Sequence, residues 1–314
     1  MLGIVGYLIL KKPTPETKSF KIGLVYLVQH PAIDQGLDGF KTELQRIETE
    51  TGAKFDVTYS NAFGEPKNVN GIVSSFQQNN SDVIVALTTP VAQIAKQMES
   101  SKPVIFVGVS DPISAGLVTT LDQGMNNVTG TTSQDPNFET LELAIKLFPS
   151  MKKVGIVYTA SESNSVSILN SLDEKIKNKS LGVSIVRKAI TSTTEILPAT
   201  NALLSDVDAM FLINDNTVVS SVDLLVKESA KRNKPIFASD VDSVKKGALF
   251  TYGLNYKDEG IAAANILKRI LLEKKSPAQI PVYINNKYYL YVNNELFKYP
   301  IDSTLVAGAE IVGK

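Results

Sequence analysis

Short runs of valine and isoleucine alternate along the chain with longer amphipathic stretches, and this alternation limits the possible folds more than any other feature of the sequence. The runs are apolar at consecutive positions, which is typical of strands that are covered on both faces. Strands that alternate with helix-length stretches indicate β-α-β units and a parallel sheet. The sequence therefore predicts an α/β fold.

The positions of these runs predict the individual elements. The predicted strands are Lys21–Val28, Phe55–Tyr59, Asp82–Leu87, Val104–Val109, Val154–Tyr158, Val183–Arg187, Ala209–Ile213, Ile236–Ala238 and Leu249–Gly253. The predicted helices are Asp34–Glu50, Lys67–Gln78, Val91–Glu99, Phe138–Phe148, Val166–Lys177, Ile196–Leu204, Val218–Arg232 and Lys257–Leu272.

The two halves of the chain repeat this pattern. KIGLVYLVQH, which begins at Lys21, resembles KVGIVYTASE, which begins at Lys153, and KPVIF in the first half resembles KPIFA in the second. The repetition predicts two similar doubly wound parallel-sheet lobes joined by a hinge. One lobe is predicted to contain residues 20–130 plus 254–282, and the other residues 131–253 plus 283–314. The predicted crossovers are Asn127–Asp135, Leu249–Tyr256 and Pro281–Asn286, with Gly130 and Gly253 as suitable hinge points.

The composition excludes several classes of protein. Lys and Arg together number 32, as do Asp and Glu, so the formal net charge is zero, whereas a nucleic-acid-binding protein usually carries an excess of positive charge. The absence of cysteine excludes disulfides, thiol catalysis and cysteine-based metal sites. No GxxxxGK[ST], GxGxxG or GxSxG motif occurs, so we predict no cofactor, no metal ion and no catalytic residue.

Residues 1–19 differ in composition from the rest of the chain. MLGIVGYLIL is apolar, and the following KKPTPETKS is polar and contains proline. The apolar stretch is shorter than the about 20 residues that span a bilayer. We interpret the segment as the remnant of a signal or membrane anchor followed by a linker; a frayed terminus without a function is the alternative.

Polar residues gather where the predicted strands end. Ligands of open α/β sheets bind beyond the carboxyl ends of the strands, so two lobes that face each other would line one cleft with these residues. The candidate ligand-binding residues are His30, Asp34, Thr88, Thr89, Ser110, Asp111, Asn164, Ser165, Asp215, Asn216, Ser239 and Asp240. For each single residue the alternative is a helix cap or a turn, which is the commoner role of such residues in α/β proteins.

The candidate residues predict a ligand that carries one negative and one positive charge. Thr89 followed by Pro90 is typical of a helix start, and helix N-termini favour a carboxylate or a phosphate. Asp111, Asp215 and Asp240 favour a cation. Phosphate esters are disfavoured because none of these loops contains arginine. We therefore predict a small zwitterion such as an α-amino acid.

Several long segments carry a family resemblance. They are IGLVYLVQHPAIDQGLDGF, DVIVALTTPVAQIA, PVIFVGVSDPISAGLV, NVTG, ESNSVSILNSL, DNTVVSSVDLLV and PIFASDVDSVKKGAL. From about Ile22 to Lys274 the chain resembles the substrate-binding proteins of ABC transporters for tryptophan and tyrosine. The resemblance implies a type I periplasmic-binding-protein fold, an aromatic amino acid as ligand, a membrane permease as partner and an extracytoplasmic location. It also implies that His30 and Asp34 lie at the cleft mouth and the other candidates in the pocket.

Two other functions remain open at this stage. A ligand-sensing domain of a membrane receptor fits the same fold. A hydrolase on this frame is a weaker alternative, because it would depend on His30, the single histidine. A repressor would need a helix-turn-helix before the first lobe, and residues 1–20 are too few for one. We expect a monomer that binds its ligand without altering it.

Overall fold

The computed structural model describes residues 18–134 and 136–313. The predicted anchor and linker therefore lie outside the described residues, except for the last two positions. Helices and mostly parallel strands alternate along the chain, so the predicted α/β class is confirmed. Among the described residues, no helix is both long enough and apolar enough to cross a membrane.

Each of the nine predicted strands and eight predicted helices has a counterpart among the described residues, where four strands (Val128–Ser133, Tyr283–Asn285, Tyr288–Val292 and Glu310–Ile311) and the short helix Val241–Lys245 were not predicted. The strands are β1 (Ser19–Tyr26), β2 (Lys54–Asn61), β3 (Val83–Leu87), β4 (Val104–Val107), β5 (Val128–Ser133), β6 (Lys153–Thr159), β7 (Ser184–Ile190), β8 (Ala209–Leu212), β9 (Ile236–Ala238), β10 (Phe250–Leu254), β11 (Tyr283–Asn285), β12 (Tyr288–Val292) and β13 (Glu310–Ile311). The helices are α1 (Pro31–Thr51), α2 (Pro66–Gln78), α3 (Thr89–Met98), α4 (Asn137–Leu147), α5 (Ser163–Lys179), α6 (Ile196–Leu204), α7 (Asn216–Val219), α8 (Val222–Lys231), α9 (Val241–Lys245) and α10 (Lys257–Leu271).

The first lobe is a parallel six-stranded sheet in the order β11-β5-β4-β3-β1-β2, together with α1, α2, α3 and α10. Both faces of the sheet are covered, and every residue of the central strands β3 and β4 is buried. Alternate residues of a strand point to opposite faces. Accordingly Val83 and Val85 pack with α1 and α10, whereas Ile84 packs with α2 and α3.

The second lobe contains a parallel four-stranded sheet, β7-β6-β8-β9, and a smaller sheet, β10-β12-β13, with α4 to α9. The small sheet is mixed, because β12 runs antiparallel to β10 and parallel to β13. The chain passes between the lobes after β5, after β10 and after β11. β5 and β11 both pair within the first-lobe sheet, and the division of the chain at residues 130/131 and 282/283 stays a prediction.

One predicted helix is divided in two. The sequence pattern predicts a single helix over Val218–Arg232, but α7 ends and α8 begins at a pair of serines. The Ser220 hydroxyl donates to the Thr217 carbonyl at 2.6 Å, and serine side chains that bond the backbone in this way compete with helix continuation. α7 begins at Asn216, and three residues separate it from the end of β8 at Leu212.

Glycines bring α1 and α10 into close contact on one face of the first lobe. A Cβ atom at Gly260 would lie 1.9 Å from the Gly36 carbonyl oxygen, and one at Gly39 would lie 2.1 Å from the Lys257 carbonyl oxygen. Any larger residue would force the two helices apart. This contact holds the N-terminal ends of both helices at the same edge of the sheet, where the cavity described below is located.

Candidate functional site

The main cavity lies between the lobes, at the carboxyl ends of the parallel strands. Residues that follow β1, β3 and β4 line it from the first lobe, and residues that follow β6, β8 and β9 line it from the second. Open α/β sheets bind ligands at this position. Seven of the predicted site residues line the cavity: His30, Thr88, Thr89, Ser110, Asn164, Asn216 and Asp240.

Three of the predicted carboxylates, Asp34, Asp111 and Asp215, lie outside this cavity. Asp34 is exposed and accepts a hydrogen bond from Gln29 Nε2 at 2.9 Å. Asp111 lines a neighbouring cavity, where its carboxylate accepts hydrogen bonds from Ser167 Oγ of the second lobe at 2.6 Å and from the Ser114 backbone N–H at 3.0 Å. Burial raises the pKa of Asp111, but these hydrogen bonds outweigh burial and lower it. Asp111 is therefore ionised and already paired within the protein.

Asp215 and two more predicted residues, Ser165 and Ser239, are buried beneath the cavity wall. Asp215 accepts hydrogen bonds from the Thr159 backbone N–H at 2.6 Å and from Ser165 Oγ at 2.7 Å, and it caps α7. Ser239 donates its hydroxyl hydrogen to Asn137 Oδ1. The polar groups of these side chains are used to hold the strand-to-helix loops in place.

Thr88 occupies an unusual backbone conformation where α3 begins. Its φ is +79°, which is rare for a β-branched residue and marks local strain. The helix begins at Thr89 with Pro90 in second place, so the cap is Thr88 and not Thr89 as the sequence predicts. The Thr88 side chain makes no capping bond, and its Oγ1 is buried. The fold thus keeps a strained residue with an unpaired hydroxyl on the cavity wall.

Three buried polar atoms on the wall have no hydrogen-bond partner among the described residues: His30 Nε2, Thr88 Oγ1 and Asn164 Oδ1. Buried polar side-chain atoms are nearly always paired, so three unpaired atoms around one cavity make this cavity the candidate ligand site. The Asn164 amide is oriented by its Nδ2, which donates to the Asn214 carbonyl at 2.8 Å. Its Oδ1 is therefore an acceptor for a ligand N–H group.

The cavity wall carries two carboxylates, Asp240 and Glu259, and neither lysine nor arginine among its lining residues. Asp240 caps α9 and accepts hydrogen bonds from the Ser243 backbone N–H at 2.8 Å and from its hydroxyl at 2.6 Å. Burial raises the pKa of Asp240 against these hydrogen bonds. Within residues 18–134 and 136–313, no group of three or more His, Cys, Asp or Glu side chains could hold a metal ion.

Glu259 is a cavity residue that the sequence pattern did not indicate. It lies in the first turn of α10 and accepts hydrogen bonds from Thr131 Oγ1 at 2.9 Å, Ser133 Oγ at 2.7 Å and Asn285 Nδ2 at 3.4 Å. Burial raises its pKa, and the hydrogen bonds oppose that rise. Its one sequence signal is an acidic first helical turn, which the helix dipole explains equally well.

A further buried carboxylate, Glu162, holds Asn216 of the cavity wall in place. Glu162 precedes α5 and accepts hydrogen bonds from Asn216 Nδ2 at 2.7 Å and from Thr217 Oγ1 at 2.9 Å. Burial, together with the nearby charge of Asp215, raises the pKa of Glu162 to about 7. Glu162 and Asp215 are the residues that precede α5 and α7, where the sequence predicts Asn164, Ser165 and Asn216 as caps.

His30 is a neutral side chain on this wall. Burial lowers its pKa to about 4, and the contact with Asn216 and the charges of Asp34 and Asp242 offset this only in part, while Lys246 lowers it further. His30 directly precedes α1 but makes no side-chain capping bond. Its imidazole is therefore free of a role in starting the helix.

One part of the cavity favours a negatively charged ligand group and another part favours a positively charged one. The helices α1, α3 and α5 all begin at residues on or next to the wall, and their N-terminal N–H groups and dipoles favour a carboxylate. Asp240 and Glu259 favour a cation. A compact zwitterion can satisfy both parts at once, as the sequence predicts, although with a different set of carboxylates.

The chain is similar to proteins of known ligands. It is 32% identical over 287 residues to a tyrosine-binding protein of Clostridioides difficile, which covers 91% of this chain and 82% of that protein. It is also similar to an ABC domain from Streptococcus pneumonia in complex with L-Trp, with 27% identity, a TM-score of 0.88 and coverage of 94% of this chain and 100% of that chain. The ligand-free, open structure of a Clostridium difficile substrate binding protein with adhesive properties matches with 30% identity, a TM-score of 0.67 and coverage of 94% and 99%.

The similarity to these structures spans both lobes and confirms the type I periplasmic-binding-protein fold. A family model described as ABC transporter substrate binding protein matches residues 21–300, including every residue that lines the cavity. Because this match covers well over half of the sequence, the chain belongs to the ABC transporter substrate binding proteins.

Proposed function

We propose that this protein is the extracytoplasmic binding component of an ABC uptake system and that it holds an aromatic amino acid between its lobes. The observation that carries the proposal is the group of three unpaired polar atoms on one cavity wall. His30 and Thr88 belong to the first lobe and Asn164 to the second. A ligand that pairs all three must touch both lobes.

The main-chain groups of an amino acid match one end of the cavity. Thr88 Oγ1 can donate to the ligand carboxylate beside the N-terminus of α3, which adds a favourable dipole. Asn164 Oδ1 can accept from the ligand ammonium, and Glu259 supplies the negative charge nearby. Asn164 and Glu259 take the place of Asp111 and Asp215 as partners of the cation, since Asn164 and Glu259 line the main cavity and the two aspartates do not.

The rest of the wall suits an aromatic side chain. Ile33, Leu87, Val107 and Val219 contribute apolar surface, and Tyr256 contributes a ring. Binding sites for small molecules commonly combine such apolar walls with a few placed polar groups. The tyrosine bound by one relative and the tryptophan bound by another support the same class of ligand for this chain.

We infer that the lobes close over the ligand by a hinge motion. Side-chain hydrogen bonds connect the lobes, and among the described residues they include Ser163 to Gln93, Ser167 to Asp111, Gln35 to Asp242 and Asn214 to Tyr256. The TM-score is higher with the L-Trp complex, 0.88, than with the ligand-free, open structure, 0.67, although the identities are 27% and 30%. These observations support a closed arrangement of the lobes.

Removing a connection between the lobes should weaken binding of every ligand alike. We expect Asp111→Ala and Ser167→Ala each to lower affinity about two- to tenfold, because a hydrogen bond worth about 0.5–1.5 kcal/mol is lost from the closed form only. Isothermal titration with two different amino acids measures the effect. The double variant should show little further loss, because both changes remove the same bond.

Asp34→Ala is the matched control, because Asp34 is an exposed carboxylate near the cleft that bonds only Gln29 among the described residues. Its affinities should equal those of the unaltered protein. A loss at Asp111 that differs strongly between ligands would mean that Asp111 touches the ligand. Unchanged affinity in both variants would mean that this bond does not stabilise closure.

The function itself is tested by thermal unfolding in the presence of candidate ligands. A ligand that binds the folded protein alone raises its free energy of unfolding by RT ln(1 + [L]/Kd), which is about 2.7 kcal/mol at a hundredfold excess over Kd. We expect tryptophan, tyrosine or phenylalanine to raise the melting temperature by several degrees and sugars and nucleobases to leave it unchanged. The proposal fails if no amino acid raises it and a sugar or a nucleobase does.

The location and the partner follow from the family. Substrate-binding proteins of ABC systems act outside the cytoplasm, and we propose that this protein delivers its ligand to a membrane permease. We also propose that it works as a monomer, is held at the membrane through the segment of residues 1–19 and releases its ligand chemically unchanged.

A further inference from the structure

We propose that His30 selects ligands whose aromatic ring carries an N–H or O–H group, such as an indole or a phenol, over ligands with a plain phenyl ring. The inference rests on the proposed function, because it concerns the side-chain end of an amino acid in the main cavity. His30 Nε2 is buried on the wall and has no hydrogen-bond partner among the described residues. The Asn216 side chain also interacts with the imidazole, and a ligand in the cavity can supply the partner that Nε2 lacks.

Two of the bonds between the lobes define the two ends of the cavity. At one end α3, which follows β3, is joined to α5, which follows β6, by the bond from Ser163 to Gln93 at 3.2 Å. At the other end α1, which follows β1, is joined to α9, which follows β9, by the bond from Gln35 to Asp242 at 2.7 Å. Each end of the cavity therefore contains residues of both lobes.

The three unpaired atoms divide between these ends. Thr88 and Asn164 lie at the starts of α3 and α5, whereas His30 lies at the start of α1. A ligand whose carboxylate and ammonium groups bond Thr88 and Asn164 therefore extends its side chain toward His30. A smaller cavity adjoins this end and shares His30, Val219 and Asp240 with the main one.

The surroundings of His30 make its nitrogen the decisive polar group at that end. Ile33 and Val219 supply apolar surface beside it. Asp240 also lies there, but its carboxylate is already occupied by the backbone and hydroxyl groups of Ser243. A phenyl ring would cover Nε2 without pairing it, whereas an indole or a phenol would pair it.

His30 can either accept or donate a hydrogen bond in its neutral state. Burial lowers the pKa of His30 to about 4. The side chain of Asn216 and the charges of Asp34 and Asp242 offset this only in part, and the charge of Lys246 lowers the pKa further, so the ring is neutral at pH 7. A neutral imidazole accepts at one nitrogen and donates at the other, and its tautomer can adapt to the ligand. It can accept from an indole N–H and can accept from or donate to a phenol oxygen.

The expected discrimination is about ten- to hundredfold in Kd, because a buried polar group that loses its partner carries its full desolvation penalty. Sites that hydrogen-bond a ligand group reject analogues lacking it far better than apolar pockets distinguish similar shapes. His30 makes no capping bond to α1, so its side chain can be changed without uncapping that helix. His30→Phe removes the nitrogens and keeps a ring, and His30→Gln keeps a hydrogen-bonding group.

The test is isothermal titration of the unaltered protein and both variants with tryptophan, tyrosine and phenylalanine at pH 7. We expect the unaltered protein to prefer tryptophan or tyrosine to phenylalanine by about tenfold or more. His30→Phe should bring that ratio to within about threefold of one, mainly because tryptophan and tyrosine bind less tightly. His30→Gln should retain a preference for tryptophan or tyrosine. If His30→Phe does not fold, His30→Leu replaces it, because leucine also removes both nitrogens, and it should bring the same ratio toward one.

Two results would overturn the assignment of His30. One is that the ratio of the affinity for tryptophan or tyrosine to that for phenylalanine is the same in the unaltered protein and in each folded variant. The other is an equal loss of affinity for all three amino acids, which would mean that His30 shapes the wall but does not bond a polar group on the ligand ring. If the unaltered protein binds none of the three, the proposed function itself fails, and this outcome is distinct because no ratio can then be measured.

Discussion

Replacing Thr88 by valine is expected to weaken binding of an aromatic amino acid about ten- to hundredfold and to leave the ligand-free protein as stable as before or slightly more stable. A hydrogen bond to a charged ligand group contributes about 1.5–3 kcal/mol. Valine has the same branched shape, so the strained backbone at φ +79° is unchanged. The substitution also removes the buried, unpaired Oγ1, and with it the desolvation penalty that this hydroxyl adds to the ligand-free protein. Isothermal titration and urea unfolding measure the two quantities.

Thr200→Val is a matched control. Thr200 Oγ1 is also buried and has no partner among the described residues, but Thr200 lies on α6, away from the main cavity. Its replacement should raise or preserve stability in the same way and leave affinity unchanged. If Thr88→Val binds as tightly as the unaltered protein, the hydroxyl does not bond the ligand and the carboxylate lies elsewhere in the cavity.

The fold was predictable because local and tertiary requirements agree along most of the chain. β3 and β4 are buried on both faces, and such strands must be apolar at every position, so their runs are visible in the sequence. β5, β11, β12 and β13 were not predicted as strands, and the residues of β5 and β11 were predicted as crossovers. Tyr288 and Tyr289 at the start of β12 are exposed, and the strand forms through its pairing with β10, which local sequence does not reveal.

The location of the site was predictable, but the use of its carboxylates was not. Strand ends and helix starts can be recognised locally, and seven of the twelve candidates line the cavity. Whether a carboxylate is free for a ligand depends on partners far away in sequence. Asp111 is paired by Ser167, 56 residues away, and Glu259 is brought to the cavity by contacts that include Thr131, 128 residues away. Only the folded chain shows these pairings.

Replacing Glu259 by glutamine should remove the preference of the cavity for a ligand ammonium group. Losing one partner of a buried, hydrogen-bonded charge pair costs about 2–5 kcal/mol, so we expect affinity for the amino acid to fall about thirtyfold or more. Glutamine matches the shape of glutamate, and the hydroxyls of Thr131 and Ser133 can donate to its oxygen or accept from its nitrogen. Isothermal titration with the amino acid and with its des-amino analogue measures the preference.

The comparison between the two ligands separates recognition from structural support. If Glu259 acts on the ammonium, affinity for the des-amino analogue should stay the same or rise in Glu259→Gln, because an acid without a cation no longer meets a buried negative charge. Glu99→Gln is the control, since Glu99 is also buried and accepts hydrogen bonds from Ser101 but lies outside the main cavity. An equal loss for both ligands in Glu259→Gln would mean that the carboxylate only holds α10 against the strands β5 and β11 and does not act on the ligand ammonium group.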